Sequence, residues 1–440
     1  MNTYQQAYIN KRVTPTEAVK WVRNGQRLLL PYSISQPPAL LHALNEHLLN
    51  GSIHQLEVYY MRSPEAMQET LFSRKHYPKI HFKAFGLTAF DRALREYSDE
   101  LGTKVIDYVP SHFSELERLI TEHFDIDIFM LQVAPMDAEG RFNLGPCGTY
   151  NKAAAAKAKV VIAEVNHHMP IVMGDNFIHV NDVHCLVEQN TLLTNYPSRP
   201  ATPVDYAIAE QIHEHVHDGT TLQLGVGGMV DVLTDLLDHH NDLGVHSELM
   251  TPGFIRLIKS GVINGSQKTL HRNKHVFTAC FGTEEMYRFM HKNPDFMACP
   301  ASYVNDPRVI AQNKHMISVN SIIEVDLLGQ INCETIAGRQ YNNVGGQNDF
   351  IRGSYWSPGG KAFLAFHSTA RNGKISRIVP HLGSNVASNS RNDTHYLVTE
   401  YGMVNLKGLS TSERAGAIIK LAAPAFRDSL EEAAKREHLI

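Results

Sequence analysis

Four short segments of this 440-residue chain return, in the same order, about 190 to 210 residues further on. "WVRNGQRLLLP" (Trp21–Pro31) returns as "HVHDGTTLQLG" (His215–Gly225), and "DAEGRFN" (Asp137–Asn143) as "DLLGQIN" (Asp326–Asn332). "AKVVIAEV" (Ala158–Val165) parallels "GKAFLAFH" (Gly360–His367), and "NDVHCLV" (Asn181–Val187) matches "NDTHYLV" (Asn392–Val398). Any one match is within reach of chance, but an ordered set predicts one fold used twice. The length agrees, because a single core rarely grows past about 250–300 residues. The linker is read as "TNYPSRPATPVD" (Thr194–Asp205), polar and rich in proline. The expected domains are therefore residues 1–195 and 205–440.

Within each half, apolar runs such as "RLLLPY", "DIFMLQV" and "KVVIAEV" alternate with helical patterns such as "ALLHALNEHLL". Nearly continuous apolar strands between helices predict an α/β fold: two similar open domains with mostly parallel sheets. Such sheets bind ligands beyond the carboxyl ends of their strands.

The halves differ at one strand end. "GVGGM" (Gly225–Met229) stands where the first half has "PYSIS" (Pro31–Ser35). Aligned on the turns, Glu248 of "GVHSELM" falls near the place of Tyr59 in "LEVYYM". Acids are poor strand formers, so one that travels with a glycine turn invites a chemical reading. Glycines there admit a ligand close to the backbone, and amides opening a helix favour an anion. The run Gly225, Val226, Gly227, Gly228, Met229 is neither the dinucleotide fingerprint nor a P-loop, and a tight structural turn is the other reading.

Composition narrows the classes. Hydrophobic content of 43% and charged content of 20% describe a globular chain. A net charge of −4 argues against nucleic acid or an anionic membrane as partner. No run of about 18 apolar residues occurs, and the opening "MNTYQQAYINKRVTPTEA" has no apolar leader core, so neither a span nor a signal peptide is expected. Five scattered cysteines without a CxxC pair read as reduced thiols of a cytoplasmic protein. The series His213, His215, His217 would set His213 and His217 on one helix face, but no third ligand accompanies them. Solvated histidines at a helix end are the better reading there, and no metal site is expected.

Other polar constellations could carry chemistry. "YNNVGGQNDFIRG" (Tyr341–Gly353) offers amide donors for an oxyanion, or is a loop tip. Arg371, Lys374 and Arg377 surround an Asn-Gly turn and would balance phosphates, if the ligand carries them. Glu248 itself is a solvated acid, a general base or a nucleophile. A carboxylate nucleophile works best on an already activated target, such as a thioester, with water kept out. No G-x-S-x-G marks a serine nucleophile, and Cys147 in "GPCG" is a possible exposed thiol.

The ordered set "GVGGM", "VHSELMTPG", "YVNDPRVIAQN", "VNSIIEVDLLGQIN", "NNVGGQNDFIRG", "STARNGKISRIVP" and "VTEYGMVNL" resembles the acetyl-CoA hydrolase/transferase family. The likeness covers nearly the whole chain and leans to the 4-hydroxybutyrate or butyrate:acetate CoA-transferase branch. It implies two CoA-transferase-type domains and acyl exchange through a glutamyl-CoA thioester on Glu248. It implies CoA contacts at Gly225–Met229, Ile323, Asn342 and Gly346, and a basic contact at Arg371, where relatives often carry lysine. No permanently bound cofactor is implied: coenzyme A and acyl-CoA are substrates, a small carboxylate is the partner, and a homodimer suits the family. Hydrolysis, with water as acceptor, and a non-catalytic CoA-binding protein are the rival readings. The aromatic pair Tyr59 and Tyr60 would favour small or apolar acyl chains, or is core.

Overall fold

The computed structural model describes residues 3–77, 79–196 and 200–440. The chain divides into two compact units: Met1–Tyr196 with Thr278–Tyr303, and Pro197–Phe277 with Val304–Ile440. Part of the expected linker, residues 197–199, lies outside the described residues. The expected division into 1–195 and 205–440 does not provide for the return of residues 278–303 to the first unit. Backbone hydrogen bonds hold that return: Gly148 N–H to the Thr278 carbonyl (2.8 Å), Lys292 N–H to Ile171 (2.8 Å) and Ala301 N–H to Thr149 (2.8 Å).

The first unit is an α/β sheet of β1 (Arg27–Leu29), β2 (Leu56–Tyr60), β3 (Ile80–Ala84), β4 (Ile106–Tyr108), β5 (Ile128–Val133), β6 (Val160–Val165) and β7 (Cys185–Glu188). The strand order is β4-β3-β2-β1-β5-β6-β7, and every pair is parallel. β5 is buried at all positions, as a strand covered on both faces must be. Helix α1 (Pro38–Leu49) follows β1, and its Leu40, Leu41, Leu44 and Leu48 enter the core against β1–β3.

The second unit repeats the order. Its strands are β8 (Thr221–Leu224), β9 (Gly244–Met250), β10 (His275–Cys280, which begins there), β11 (Met316–Ser321), β12 (Lys361–Ala365), β13 (Tyr396–Thr399) and β14 (Gly402–Asn405). They run β10-β9-β8-β11-β12-β13-β14. β8 pairs in parallel with β9 and β11, β11 with β12, and β12 with β13; only β14 is antiparallel to its neighbour among these pairs. Thus β8 takes the place of β1, β9 of β2, β11 of β5, β12 of β6 and β13 of β7. Helix α2 (Pro203–His213) precedes β8 and starts on a capping box between Thr202 and Asp205, with proline at its first position. Helix α3 (Gly228–Leu236) joins β8 to β9 as α1 joins β1 to β2.

Register corrects two details of the sequence alignment. Leu28 pairs with Val58, and its counterpart Leu222 pairs with Val245. Three residues further along each strand stand Met61 and Glu248, so Met61, not Tyr59, holds the place of the acid; Tyr59 matches His246. Likewise Ile162 pairs with Cys185, and Phe363 with Tyr396. Cys185 and Tyr396 are counterparts in the repeat, so Glu164 matches Ala365, one residue from where the text alignment puts it. Side chains alternate faces along a strand, so this slip decides which of them face the same way.

Candidate functional site

The glycine turn lies at the carboxyl end of β8. Gly225 N–H donates to the Val319 carbonyl of β11 (3.3 Å), and Gly227 caps α3 with φ of +130°, a conformation that excludes ordinary side chains. The turn opens onto a cavity of about 220 Å³ in the second unit. Its walls are Val226 to Val230, Ala365 to His367 of the β12 end, and Asp205, Ser321 and Arg377. The first-turn amides of α3 therefore border open space, where an anion finds donors and a favourable dipole.

Charge lines this space. His367 Nε2 lies 2.8 Å from Asp205 Oδ1. Burial would raise the Asp205 carboxyl, but its hydrogen bonds with His367 and Thr202 outweigh that and hold it below the usual range. Arg377 donates Nε–H to the Ile323 carbonyl (2.6 Å) and Nη2–H to that of Ile322. Burial lowers its pKa, opposed by Glu400 and Glu324. Arg377 thus walls the cavity as a fixed cation and is not part of the exposed turn with which the sequence grouped it.

Glu248 stands near the end of β9. β8 and β9 pair in parallel at Thr221–Gly244 and Leu222–Val245, so the glycine turn and Glu248 both lie toward the carboxyl ends of neighbouring strands. Asn305, fully buried, donates its Nδ2–H to Glu248 Oε2 (2.8 Å). Gly346 caps helix α4 (Gln347–Trp356). A Cβ on Gly346 would collide with both Asn305 Nδ2 and Glu248 Oε2, so only glycine lets the carboxylate reach this helix start. His246, two residues before Glu248 and on the same strand face, donates Nε2–H to the Val304 carbonyl (2.8 Å). Burial, with Lys268 nearby, drives its pKa down to about 3, so this ring stays neutral. It pins the residue next to Asn305, which in turn holds the acid.

The structure therefore joins Val226–Met229 to one cavity and Glu248 to Gly346; Gly225, Glu248, Ile323 and Gly346 are not among the residues that line that cavity. Ile323 is half-buried, with its N–H on the Asn332 carbonyl (2.9 Å). Asn342 is exposed: its N–H donates to the Glu334 carbonyl (2.9 Å), and its carbonyl accepts from Gln340 Nε2 (2.6 Å). Arg371 is exposed on the hairpin between Thr369–Ala370 and Ile375–Ser376, at φ of +50°. Neither Asn342 nor Arg371 borders the cavity.

Cys147 is not an exposed thiol: it is fully buried, which pushes its pKa up to about 11. The i,i+4 histidine pair does not form, because α2 ends at His213. Sequence reasoning missed Asn305, His246, Asp205 and His367 as site neighbours. "VND" and "VHSE" were signals for two of them, since a buried amide or imidazole beside an acid needs a polar partner. A second cavity of about 260 Å³, in the first unit, is lined by His167, His168, Leu192, Tyr287, Arg288 and others, and none of the expected site residues borders it.

Residues 1–197 match the acetyl-CoA hydrolase/transferase N-terminal domain, and residues 282–434 the C-terminal domain of the same family. A 4-hydroxybutyrate coenzyme A transferase of Clostridium kluyveri is 38% identical over 430 residues, covering 97% of this chain and 98% of that protein. The chain belongs to the acetyl-CoA hydrolase/transferase family. A second member, the butyryl-CoA:acetate CoA-transferase of Anaerostipes caccae, is 34% identical over 451 residues, covering 99% of this chain and 98% of its own. Among solved structures of the family's fold, RipA from Yersinia pestis superposes with a TM-score of 0.95 at 41% identity, covering 100% of both chains. Among the described residues, no helix is long and apolar enough to cross a membrane.

Proposed function

We propose that this protein transfers CoA from an acyl-CoA to a small carboxylate of the acetate, butyrate or 4-hydroxybutyrate type, with Glu248 as covalent nucleophile. One observation carries this reading: the Glu248 carboxylate is held by Asn305 at the start of α4, near the carboxyl end of the strand that pairs with the one leading into the glycine turn. A solvated acid would not need a buried amide and a glycine to receive it. The near relatives named as CoA transferases support the same chemistry.

The steps balance without an external energy source. A Glu248 oxygen attacks the thioester carbon and the C–S bond breaks, giving a mixed anhydride and CoA thiolate. The thiolate attacks the glutamyl carbon and expels the first carboxylate, leaving a glutamyl-CoA thioester. An incoming carboxylate attacks that thioester, and the thiolate then takes the new acyl group and frees Glu248. Backbone amides at Gly346 and in Gly225–Met229 serve the tetrahedral oxyanions, each such donor being worth about 3–4 kcal/mol. The CoA handle binds through the cavity at α3 and through Arg371, and its remote binding energy is used at the reacting carbon. Val226, Gly227, Gly228, Met229, Ile323 and Asn342 complete the CoA contacts of this reading. It also takes the protein as a cytoplasmic homodimer without a bound cofactor; its five cysteines are all buried and none forms a disulfide.

Incubation with acyl-CoA should add the mass of CoA less water at Glu248, and borohydride should reduce that residue to an alcohol and inactivate the protein. Adding acetate should raise acyl-CoA turnover and yield acetyl-CoA. Turnover without carboxylate dependence would make water the acceptor, and an adduct on Cys147 would remove Glu248 from the role.

A further inference from the structure

Past the ends of β1 and β2 in the first unit, two residues take a strained backbone. Ser33, four residues beyond β1, has φ of +43°, and Arg62, two residues beyond β2, has φ of +55°. Ordinary residues seldom adopt this region, and where the surroundings enforce it the place often serves a ligand. The enforcing contact here is Gln36. It is buried and donates Nε2–H to the carbonyls of Pro31 (3.0 Å) and Arg62 (3.3 Å), so the two strand ends are tied together. The Arg62 guanidinium lies over the Phe281 ring, with Cζ 4.5 Å from its centroid. Tyr196 meets the same ring edge-on, centroids 5.0 Å apart, and its hydroxyl is 2.9 Å from Ser33 Oγ. Phe281 is buried, so both groups are set around one fixed ring.

Arg62 is half-buried, yet among the described residues it forms no ion pair and its guanidinium donates no hydrogen bond. Arg27 and Arg141 of the same unit pair with Glu57 and Asp137, and Arg377 of the second unit is spent on two carbonyls. Glu65, three residues on, is exposed and forms no ion pair with Arg62. A cation partly withdrawn from water is costly until an anion meets it. A guanidinium stacked on a ring keeps its N–H edge free, and that edge matches a carboxylate with two parallel hydrogen bonds. Burial raises the Tyr196 pKa, while the Ser33 hydrogen bond and the Arg62 charge oppose that rise, so hydroxyl and guanidinium share one field. The Ser33–Tyr196 bond uses one of two hydroxyl protons and leaves the second for another acceptor.

We propose that Arg62, with the Ser33 and Tyr196 hydroxyls beside it, binds the carboxylate group of the acid substrate; this rests on the reading above that the protein passes CoA to a small carboxylate. Such an acid has no CoA handle, so its charge is its main means of recognition, and a fork-shaped cation is the group that reads it. The repeat divides the work in the same way. Met61 holds the place of Glu248, so the cation follows directly on the position where the second unit carries its acid. The ends of β8 and β9 carry the glycine turn and Glu248, and the matched ends of β1 and β2 carry the hydroxyl pair and the guanidinium.

Butyrate alone, with no acyl-CoA to react with, is the probe for the full-length protein. Saturation-transfer nuclear magnetic resonance should show it bound to the wild type and lost from Arg62→Met, which keeps an apolar stem over Phe281 and removes the charge. Acyl-CoA binding, measured by calorimetry, should stay within about twofold of wild type in that variant, since Arg62 serves only the acid in this assignment. In steady-state exchange, Arg62→Met should raise KM for acetate and for butyrate on the order of tenfold or more, and Tyr196→Phe several-fold. Arg62→Lys keeps the charge without the fork and should recover part of the acid's affinity, a rescue that loss of packing alone would not give. Far-ultraviolet circular dichroism checks that each variant folds. Butyrate binding that depends on Arg62 in a protein without CoA transfer would remove the transferase reading and leave this site standing. No bound butyrate in the wild type, a signal that survives Arg62→Met, or an equal loss of acid and acyl-CoA binding would overturn the assignment.

Discussion

In the first half of the chain, the helix that follows the opening strand starts against a carboxylate from within the same unit. Leu40 N–H, in the first turn of α1, donates to Glu164 Oε2 (3.0 Å), and Glu164 is fully buried on β6. In the second half, the matched position on β12 is Ala365, and the first turn of α3 faces a cavity of about 220 Å³. Both helix starts carry amides that no intrahelical carbonyl satisfies. One half fills them with a side chain, and the other leaves them facing open space. A repeated fold presents two such helix starts per chain; an internal carboxylate closes one of them. The same division holds one strand over, where Met61 stands in the first half and Glu248 in the second. Equal strand order therefore says little about equal chemistry: two substitutions at matched strand ends separate a scaffold from a site.

That contrast breaks most sharply at the acid. Glu248→Met gives the second half the residue of the first, and should lower acyl exchange on the order of a thousandfold or more while acyl-CoA still binds, as read by kinetics and by equilibrium binding. Near-normal exchange would dissolve the distinction between the halves. Ala365→Glu transplants the plug instead. It should raise KM for acyl-CoA on the order of tenfold or more, because a carboxylate would then compete for the α3 amides and repel phosphate. An unchanged KM would mean that CoA does not use this helix start.

Glu164 tests the closed half by pH. Burial outweighs the hydrogen bonds from Leu40 and Ala39 and pushes its pKa up from the ordinary 4.5 to about 7. Between those values the folded protein holds a proton that the unfolded chain has released, so this group's contribution to stability falls as pH rises through the window and levels off above about 7. Glu164→Gln cannot ionise. The midpoint of thermal unfolding of the variant, taken relative to wild type, should rise from about pH 5 to about pH 7 and then flatten. A difference independent of pH would show that the carboxyl is not perturbed. The smallest effect is expected at the exposed hairpin. Arg371→Ala should raise KM for acyl-CoA several-fold with little change for the free carboxylate, as a screened surface contact to phosphate would. Equal changes in both would remove the phosphate contact.

Much of this was legible in the chain. Continuous apolar strands, the ordered repeats and the glycine turn foretell two parallel α/β sheets and the carboxyl-end location of Gly225–Met229. Register is less legible, because the repeat carries insertions between its matched segments, and slips of one residue at Glu164 and two at Tyr59 moved them away from their true counterparts. Asn305 and His246 act through geometry that only the fold creates: one reaches Glu248 across 57 residues of chain, and the other holds a backbone carbonyl. Arg377 looked like a solvated hairpin charge, because neither its burial nor the carbonyls of Ile322 and Ile323 can be read from spacing. The return of residues 278–303 has no compositional mark at all.

That return bears on how the protein is made. The first unit lacks residues 278–303 until about 107 further residues after Tyr196 have been synthesised. At about 5–20 residues per second this leaves roughly 5 to 20 seconds before the segment that carries Thr278, Lys292 and Ala301 is complete. The amide of Gly148 and the carbonyls of Thr149 and Ile171 wait unpaired through that interval. A fragment cut at the linker would hold them in that condition permanently, an exposed and adhesive intermediate rather than a small stable domain.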